Sequence, residues 1–339
     1  MKPDWAFSPG ESTIYQNIVS RLPSGAAEWY IFLEPYGIGD CLLNLSLFGN
    51  FKETYCRHGE KICYVTTTSL GKLEPFFSKD VDIWLTFDNP IVLFLYNELI
   101  SHRYELRTAN PISLAPTTYY KSSKLMNSAI SELDVGFKRL LLGLPASAPT
   151  RKSVTAFSNL DSKNLEEKFF NDICQPENTI LIIPHAQSCS RLPEWYWNIL
   201  VSGFKTAGFN IYFDIFNFYN VAPEGARGVK LAFDEIIYLS QHVAATVSYR
   251  SGLTDLIANS TSKEHYCLYP SKDLLLHGYA KCSDVKKTTT NDFFGFVVEN
   301  SFFDTISKET SESDPIVISG LQRVVEIVLS KVEKAGVAR

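Results

Sequence analysis

Three short stretches place reactive or anion-binding side chains where a strand-like run gives way to a helix-like one. The first is YGIGD, residues 36–40, between the apolar run ending LEP and the leucine-rich LLNLSLF. Asp40 admits two chemistries there. It can cap the helix, taking a backbone N–H on a carboxylate oxygen. It can also be a general base, held at a strand end to take a proton from a hydroxyl. Gly37 and Gly39 would let the backbone turn sharply and approach a ligand, and the following helix offers unpaired N–H groups and a partly positive end. The spacing is not the dinucleotide fingerprint, because GxGxxG needs glycine where Leu42 stands.

The second stretch is PHAQSCSRLPEWYW, residues 184–197, after a strongly apolar run and before a helix that Pro193 opens at its first turn. His185, Gln187, Ser188, Ser190 and Arg191 gather polar groups and a positive charge at that strand's carboxyl end. A guanidinium fork suits Arg191 to a phosphate. The alternative is a surface loop with a solvated Arg191 and a structural His185. The third stretch is SYRSGLTDLIAN, residues 248–259, running strand, tight turn, helix. Backbone N–H groups and the Ser251 hydroxyl would cradle a phosphate, with charge from Arg250. The alternative is a plain turn in which Ser251 caps the helix and Asp255 is solvated. Together the second and third stretches describe a diphosphate pocket, with the first facing it from another domain.

The elements that must position these loops alternate between strand and helix, the pattern of parallel sheets covered by helices. Strands are expected over 28–35, 61–67 and 81–87, with helices over 40–53, where Leu42, Leu45 and Phe48 share a face, and over 89–110. A Pro/Ser/Ala-rich connector and a solvated amphipathic helix at 160–173 follow. A second series then has strands at 179–184, 210–216, 229–233, 244–248 and 264–270, and helices at 193–207, 234–242, 252–259 and 315–334. The reading is two doubly wound α/β domains, residues 1–155 and 178–339, joined by a linker and helix at 156–177. Ligands of such sheets lie beyond the strands' carboxyl ends. The terminal helix is free to pack on the first domain or to support a dimer.

Composition bounds the function classes. The 339 residues are 45% hydrophobic and 20% charged, with a net charge of −5, which argues against a nucleic-acid binder. The seven cysteines form no CxxC pair, so neither zinc site nor disulfide framework is indicated and a reducing cytoplasm fits. No signal-peptide or membrane-spanning apolar stretch is expected. DVD at 80–82 has the outline of a metal-binding DxD but opens a strand away from the three loops.

As a set, these segments resemble the GT-B glycosyltransferases, and within them the bacterial ADP-heptose–lipopolysaccharide heptosyltransferase family. GIGDCLLNLS is similar to that family's strand–Gly-Asp–helix motif. IIPHAQSCSRLPEWYW is similar to its second-domain motif of small polar residues, a basic residue and then "WP" or "LPE". VAATVSYRSGLTDLIA is similar to its late "(D/S)xGLxH" motif. Their order and domain placement match over roughly residues 28–270. The resemblance implies two Rossmann-like domains facing each other across a cleft. It implies an inverting, metal-independent transfer from a nucleotide-diphosphate sugar to a hydroxyl of a lipopolysaccharide- or capsule-type bacterial surface glycan. It makes Asp40 the base, with Gly39 in its motif. Ser188 and Arg191 become donor-phosphate contacts, and Ser251, Gly252 and Leu253 the late phosphate-binding turn. His185, Gln187, Arg250 and Asp255 are added to the donor side from their position in the same two loops, not from the resemblance. Three positions depart from the pattern. Ser46 stands where a proline is usual, Arg250 where an acidic residue is common, and Asp255 where the family has histidine.

The implied partners are a nucleotide-sugar donor and a glycan or glycolipid acceptor, met in the cytoplasm or peripherally at the inner face of the membrane, with no cofactor and no nucleic acid. Two other readings fit the same scaffold: a sugar-nucleotide epimerase, and a catalytically degenerate nucleotide-binding partner in a glycan-assembly complex.

Overall fold

The computed structural model describes residues 17–24 except 19, 29–34, 37–93 except 78, 112–114 and 144–149 except 146, then 162–170, 175–186, 191–260 except 217 and 218, 264–269, 301–303 and 311–334. The expected helix beyond residue 93, Gln187, Ser188 and the side chain of Asp40 lie outside them. The chain divides into two units, Met1–Asn159 and Leu160–Arg339.

In the first unit, apolar and β-branched runs form strands β1 (Trp29–Glu34), β2 (Lys61–Thr67) and β3 (Ile83–Phe87), joined by the short β4 (Ile112–Leu114). All pairs are parallel, in the order β3-β2-β1-β4. Residues 62–67 of β2 are all buried, the continuous burial of a strand covered on both faces. The connection from β1 to β2 is helix α1 (Ile38–Tyr55), longer at both ends than the sequence suggests. Leu42, Leu45 and Phe48 are buried as expected, but so is every other described side chain from Cys41 to Phe51. Phe48 and Phe51 pack on Phe32 at ring distances of 4.3 and 5.1 Å, which fixes α1 over β1. Asp82 of the DVD segment receives the Ile62 N–H (2.8 Å) and pairs with Lys52 (3.0 Å), so it fastens β2 to its neighbours.

The second unit holds α2 (Ser162–Phe170), β5 (Thr179–Ile183), α3 (Glu194–Thr206), β6 (Asn210–Asp214), β7 (Arg227–Val229), α4 (Phe233–His242), β8 (Ala245–Tyr249), α5 (Gly252–Ser260), β9 (Glu264–Tyr269), β10 (Ser301–Phe303) and α6 (Pro315–Lys334). Its strands are parallel in the order β10-β9-β8-β5-β6-β7. Numbered from β5 as first, that is 3-2-1-4-5-6, the Rossmann order. Pro193 sits at the N-cap of α3, one residue before the position expected, and Gly208 closes the helix at φ +89°. The N–H of Gly208 reaches the Lys205 carbonyl (2.9 Å) and that of Phe209 the Phe204 carbonyl (3.1 Å), a Schellman ending. The strand expected over 229–233 lies at Arg227–Val229 instead. The chain leaves the ladder there because the Ala232 N–H is taken by Glu235 Oε2 (2.8 Å), which starts α4.

Helix α6 belongs to the second unit's core. Val317, Leu321, Val324, Val325, Val328 and Val332 share one cluster with Trp197, Leu200, Val201 and Phe204 of α3. At Gly203 an added Cβ would stand 2.8 Å from Val325, so glycine there permits the close approach of the two helices.

Candidate functional site

In a doubly wound sheet, ligands bind outside the carboxyl ends of the two strands between which the order reverses. In the second unit those strands are β5 and β8, where Ile183 lies opposite Ser248. The chain leaves β5 into residues 184–193 and leaves β8 into Arg250 and Ser251, so the second and third stretches flank one switch point. In the first unit the reversal falls between β1 and β4, and the chain leaves β1 towards Gly37 and α1.

The turn after β8 is knit by hydrogen bonds. Thr254 Oγ1 receives the Ser251 N–H (3.1 Å) and donates to the Tyr249 carbonyl (3.1 Å), while the Thr254 N–H returns to the Ser251 carbonyl (3.0 Å). Beneath it, Ser248 Oγ lies 2.8 Å from His265 Nε2 and 3.2 Å from Thr254 Oγ1. Gly252 and Leu253 open α5, and the first amides of a helix have no intrahelical acceptor. The Ser251 hydroxyl oxygen is buried with no hydrogen-bond partner among the described residues, so it does not serve as the cap the sequence allowed. A hydroxyl at the start of a helix, where amides lack intrahelical acceptors, is suited to an oxyanion.

Arg250 is engaged in the protein's own structure. Its guanidinium lies 3.2 Å from Asp255 Oδ2, donates to the Ser251 carbonyl and packs over the Tyr269 ring at 5.8 Å. Asp255 is fully buried, which overturns its reading as a solvated helix residue. The two departures from the late motif are thus partners of opposite charge.

At the end of β5, His185 Nε2 stands 3.5 Å from Asp214 Oδ2, at the end of neighbouring β6. Asp214 Oδ1 receives the N–H groups of Phe216 (3.1 Å) and Leu231 (3.4 Å). Burial pushes His185 down to about 4 and Asp214 up to about 6. Despite the ion-pair geometry, neutral pH therefore places an uncharged imidazole against a carboxylate. Arg191 is exposed, its guanidinium 5.0 Å over the Tyr219 ring.

In the first unit, Gly37 is the N-cap of α1 and Asp40 the helix's third residue, so Asp40 does not occupy the cap position. Gly37 has extended backbone (φ −89°, ψ 168°) that any residue adopts, and the turn does not draw on glycine's freedom. Gly39 is buried. Glu34, the last residue of β1, is a fully buried carboxylate that accepts a hydrogen bond from Asn44 Nδ2 (2.9 Å).

No family model and no curated relative matches the sequence. Solved structures do match in fold. ADP-heptose lipopolysaccharide heptosyltransferase II of E. coli superposes with a TM-score of 0.56 at 14% identity, over 89% of this chain and 99% of its own. A glycosyl transferase family 9 protein of Veillonella parvula gives 0.56 at 10% identity, over 92% and 99%. The fold is GT-B. A third GT-B match is TibC of enterotoxigenic E. coli, described as an iron-containing dodecameric glycosyltransferase, at 0.53 and 14% identity over 93% of this chain and 78% of its own.

Among the described residues, no group of three or more His, Cys, Asp or Glu side chains is arranged to hold a metal ion, and no helix is long and apolar enough to cross a membrane. Burial raises the Cys56 and Cys63 thiols to about 11 and about 12, so neither is a nucleophile at neutral pH. A groove of about 530 Å³ runs along α3 between Glu194 and Thr206 and is closed by residues 219–225. Its lining includes neither Arg191, His185 nor Ser251, so it is distinct from the switch point.

Three residues at these strand ends escaped the sequence reading: Glu34, Asp214 and Tyr219. The first two carried a signal, each being a lone acid in an apolar run (YIFLEP and IYFDIF). Tyr219 carried none, because aromatic residues are abundant and its partners lie more than twenty positions earlier.

Proposed function

We propose that this GT-B protein is an inverting glycosyltransferase, moving a sugar from a nucleoside-diphosphate donor to a hydroxyl of a bacterial surface glycan. The donor domain, residues 178–339, belongs to the second unit and the acceptor domain, residues 1–155, to the first. The observation that carries the reading is the switch point between β5 and β8, with His185 after one strand and the Ser251–Leu253 turn after the other; exposed Arg191 is proposed to join them.

The chemistry follows from the groups. A sugar hydroxyl is a weak nucleophile, so Asp40 takes its proton as the oxygen attacks the anomeric carbon. The bond from that carbon to the diphosphate oxygen breaks, and the electron pair leaves with the nucleoside diphosphate. One displacement inverts the anomeric centre. The growing negative charge meets Arg191, the Ser251 hydroxyl and the Gly252 and Leu253 amides, with Gln187 and Ser188 in the same loop. Arg250 and Asp255 hold the turn, and neutral His185 adds a polar contact without charge. Because these groups supply the positive field, transfer proceeds without a metal ion. The acceptor implies work in the cytoplasm, at the inner face of the membrane.

Incubation of candidate nucleotide sugars with and without a glycan acceptor tests the reading. Acceptor-dependent release of nucleoside diphosphate supports it. Conversion of the sugar without acceptor indicates an epimerase, and nucleotide binding without either reaction indicates a degenerate partner.

A further inference from the structure

Arg191 stands on an unusual support. The Tyr219 ring lies under its guanidinium at 5.0 Å, and the Tyr219 hydroxyl has two partners of its own. It receives the Trp197 indole N–H at 2.9 Å and donates to the Leu192 carbonyl at 3.0 Å. Burial raises the phenol above its ordinary value, so it keeps its one proton and can donate to that carbonyl at any physiological pH. Trp197 is fully buried and sits in the first turns of α3, edge-on to Phe213 of β6 at 5.9 Å. Tyr219 is itself edge-on to Phe213 at 5.6 Å. The platform is therefore anchored to a strand, a helix and the peptide that follows Arg191.

We infer that Tyr219 is a positioning residue for Arg191: its hydroxyl fixes the backbone at Leu192 and its ring carries the guanidinium, so that the arginine meets a diphosphate already oriented. This rests on the reading of Arg191 as a diphosphate ligand. The physical reason is entropic. A long flexible side chain loses rotamer freedom when it grips an anion, and a cation–π platform removes part of that loss beforehand. A lysine would not exploit it equally, since the planar guanidinium stacks where an ammonium does not.

The test is a double-mutant cycle on the full-length protein, reading affinity for ADP, UDP, GDP, CDP and dTDP by calorimetry and unfolding temperature in parallel. Arg191→Ala is expected to weaken the best of these at least tenfold. Tyr219→Leu should weaken it five- to tenfold, and Tyr219→Phe, which keeps the ring and folds most safely, two- to threefold. The deciding result is the double variant: with Arg191→Ala already present, Tyr219→Leu or Tyr219→Phe should cost no further affinity, while lowering the unfolding temperature as much as in the unsubstituted protein. Losses of affinity that multiply would overturn the inference and reduce Tyr219 to a packing residue, leaving the donor site intact. Failure of the unsubstituted protein to bind any of the five would overturn the donor reading and the inference with it.

Discussion

Two arginines of the second unit differ in what surrounds them. Arg191 follows β5, is exposed and rests on an aromatic face; Arg250 follows β8, is 11% exposed and is held by a buried carboxylate. A guanidinium tied to Asp255 and to the Ser251 carbonyl shapes the turn it belongs to. One at the surface over an aromatic ring is shaped by that platform. On the proposed reading the same side chain serves structure at Arg250 and donor binding at Arg191, and the difference is set by burial and by the neighbouring charge.

The first unit offers the sharpest contrast with this binding apparatus, because Asp40 is assigned to the chemical step alone. Asp40→Asn should lower turnover by about 100- to 10,000-fold, the range of general-base catalysis, with donor affinity unchanged within about twofold. Steady-state kinetics and calorimetry on one preparation check both halves. Loss of donor affinity instead would move Asp40 to the binding side.

Next in size is the pair that holds the turn. Asp255→Leu leaves Arg250 with its partner gone, and stability should fall by roughly 3–5 kcal/mol in denaturant unfolding. Adding Arg250→Met to that variant should restore much of the loss. An additive further loss would mean that the two charges do not act as a pair.

His185 and Asp214 separate by pH. Asp214 is raised to about 6, so its contribution to stability is present at low pH and lost as pH rises towards 6. His185 is lowered to about 4, so its contribution is present above about 6.5 and lost as pH falls towards 4. Each shift corresponds to roughly 3 kcal/mol, and the opposed slopes offset each other between pH 4 and 6. His185→Gln should therefore give a protein that weakens as pH rises from 4 to 6. Asp214→Asn should give one that weakens as pH falls from 6.5 to 4. Unfolding midpoints across that range measure both, and identical slopes in the two variants would contradict the assignment.

How much of this was legible in the sequence depends on whether the deciding contact is local. The bounds of β2 and α6 are legible to the residue, because a short apolar and β-branched run and a long amphipathic period each favour one element. The segment VKLAF has the composition of a strand, yet Glu235 captures the Ala232 N–H and starts a helix instead. The short β4 and β10 strands of three residues carry too little pattern to be seen. In the site, the order of the three loops was readable, since strand–turn–helix punctuation is local. The burial of Asp255 was not, because GLTDLIAN permits either face until Arg250 is brought back over it. Nor was Tyr219, whose partners Trp197 and Leu192 are reached only through the fold.

Arg191→Ala tests the central claim most directly, namely that Arg191 is the arginine which meets the donor. Calorimetric titration of the unsubstituted protein and of Arg191→Ala with nucleoside diphosphates should show one preferred nucleotide. Its affinity should fall about ten- to a hundredfold in the variant, or roughly 1.5–3 kcal/mol as for a hydrogen bond to a charged group, while the unfolding temperature stays the same. Equal affinity in the two proteins, or no binding of any nucleoside diphosphate, would contradict it.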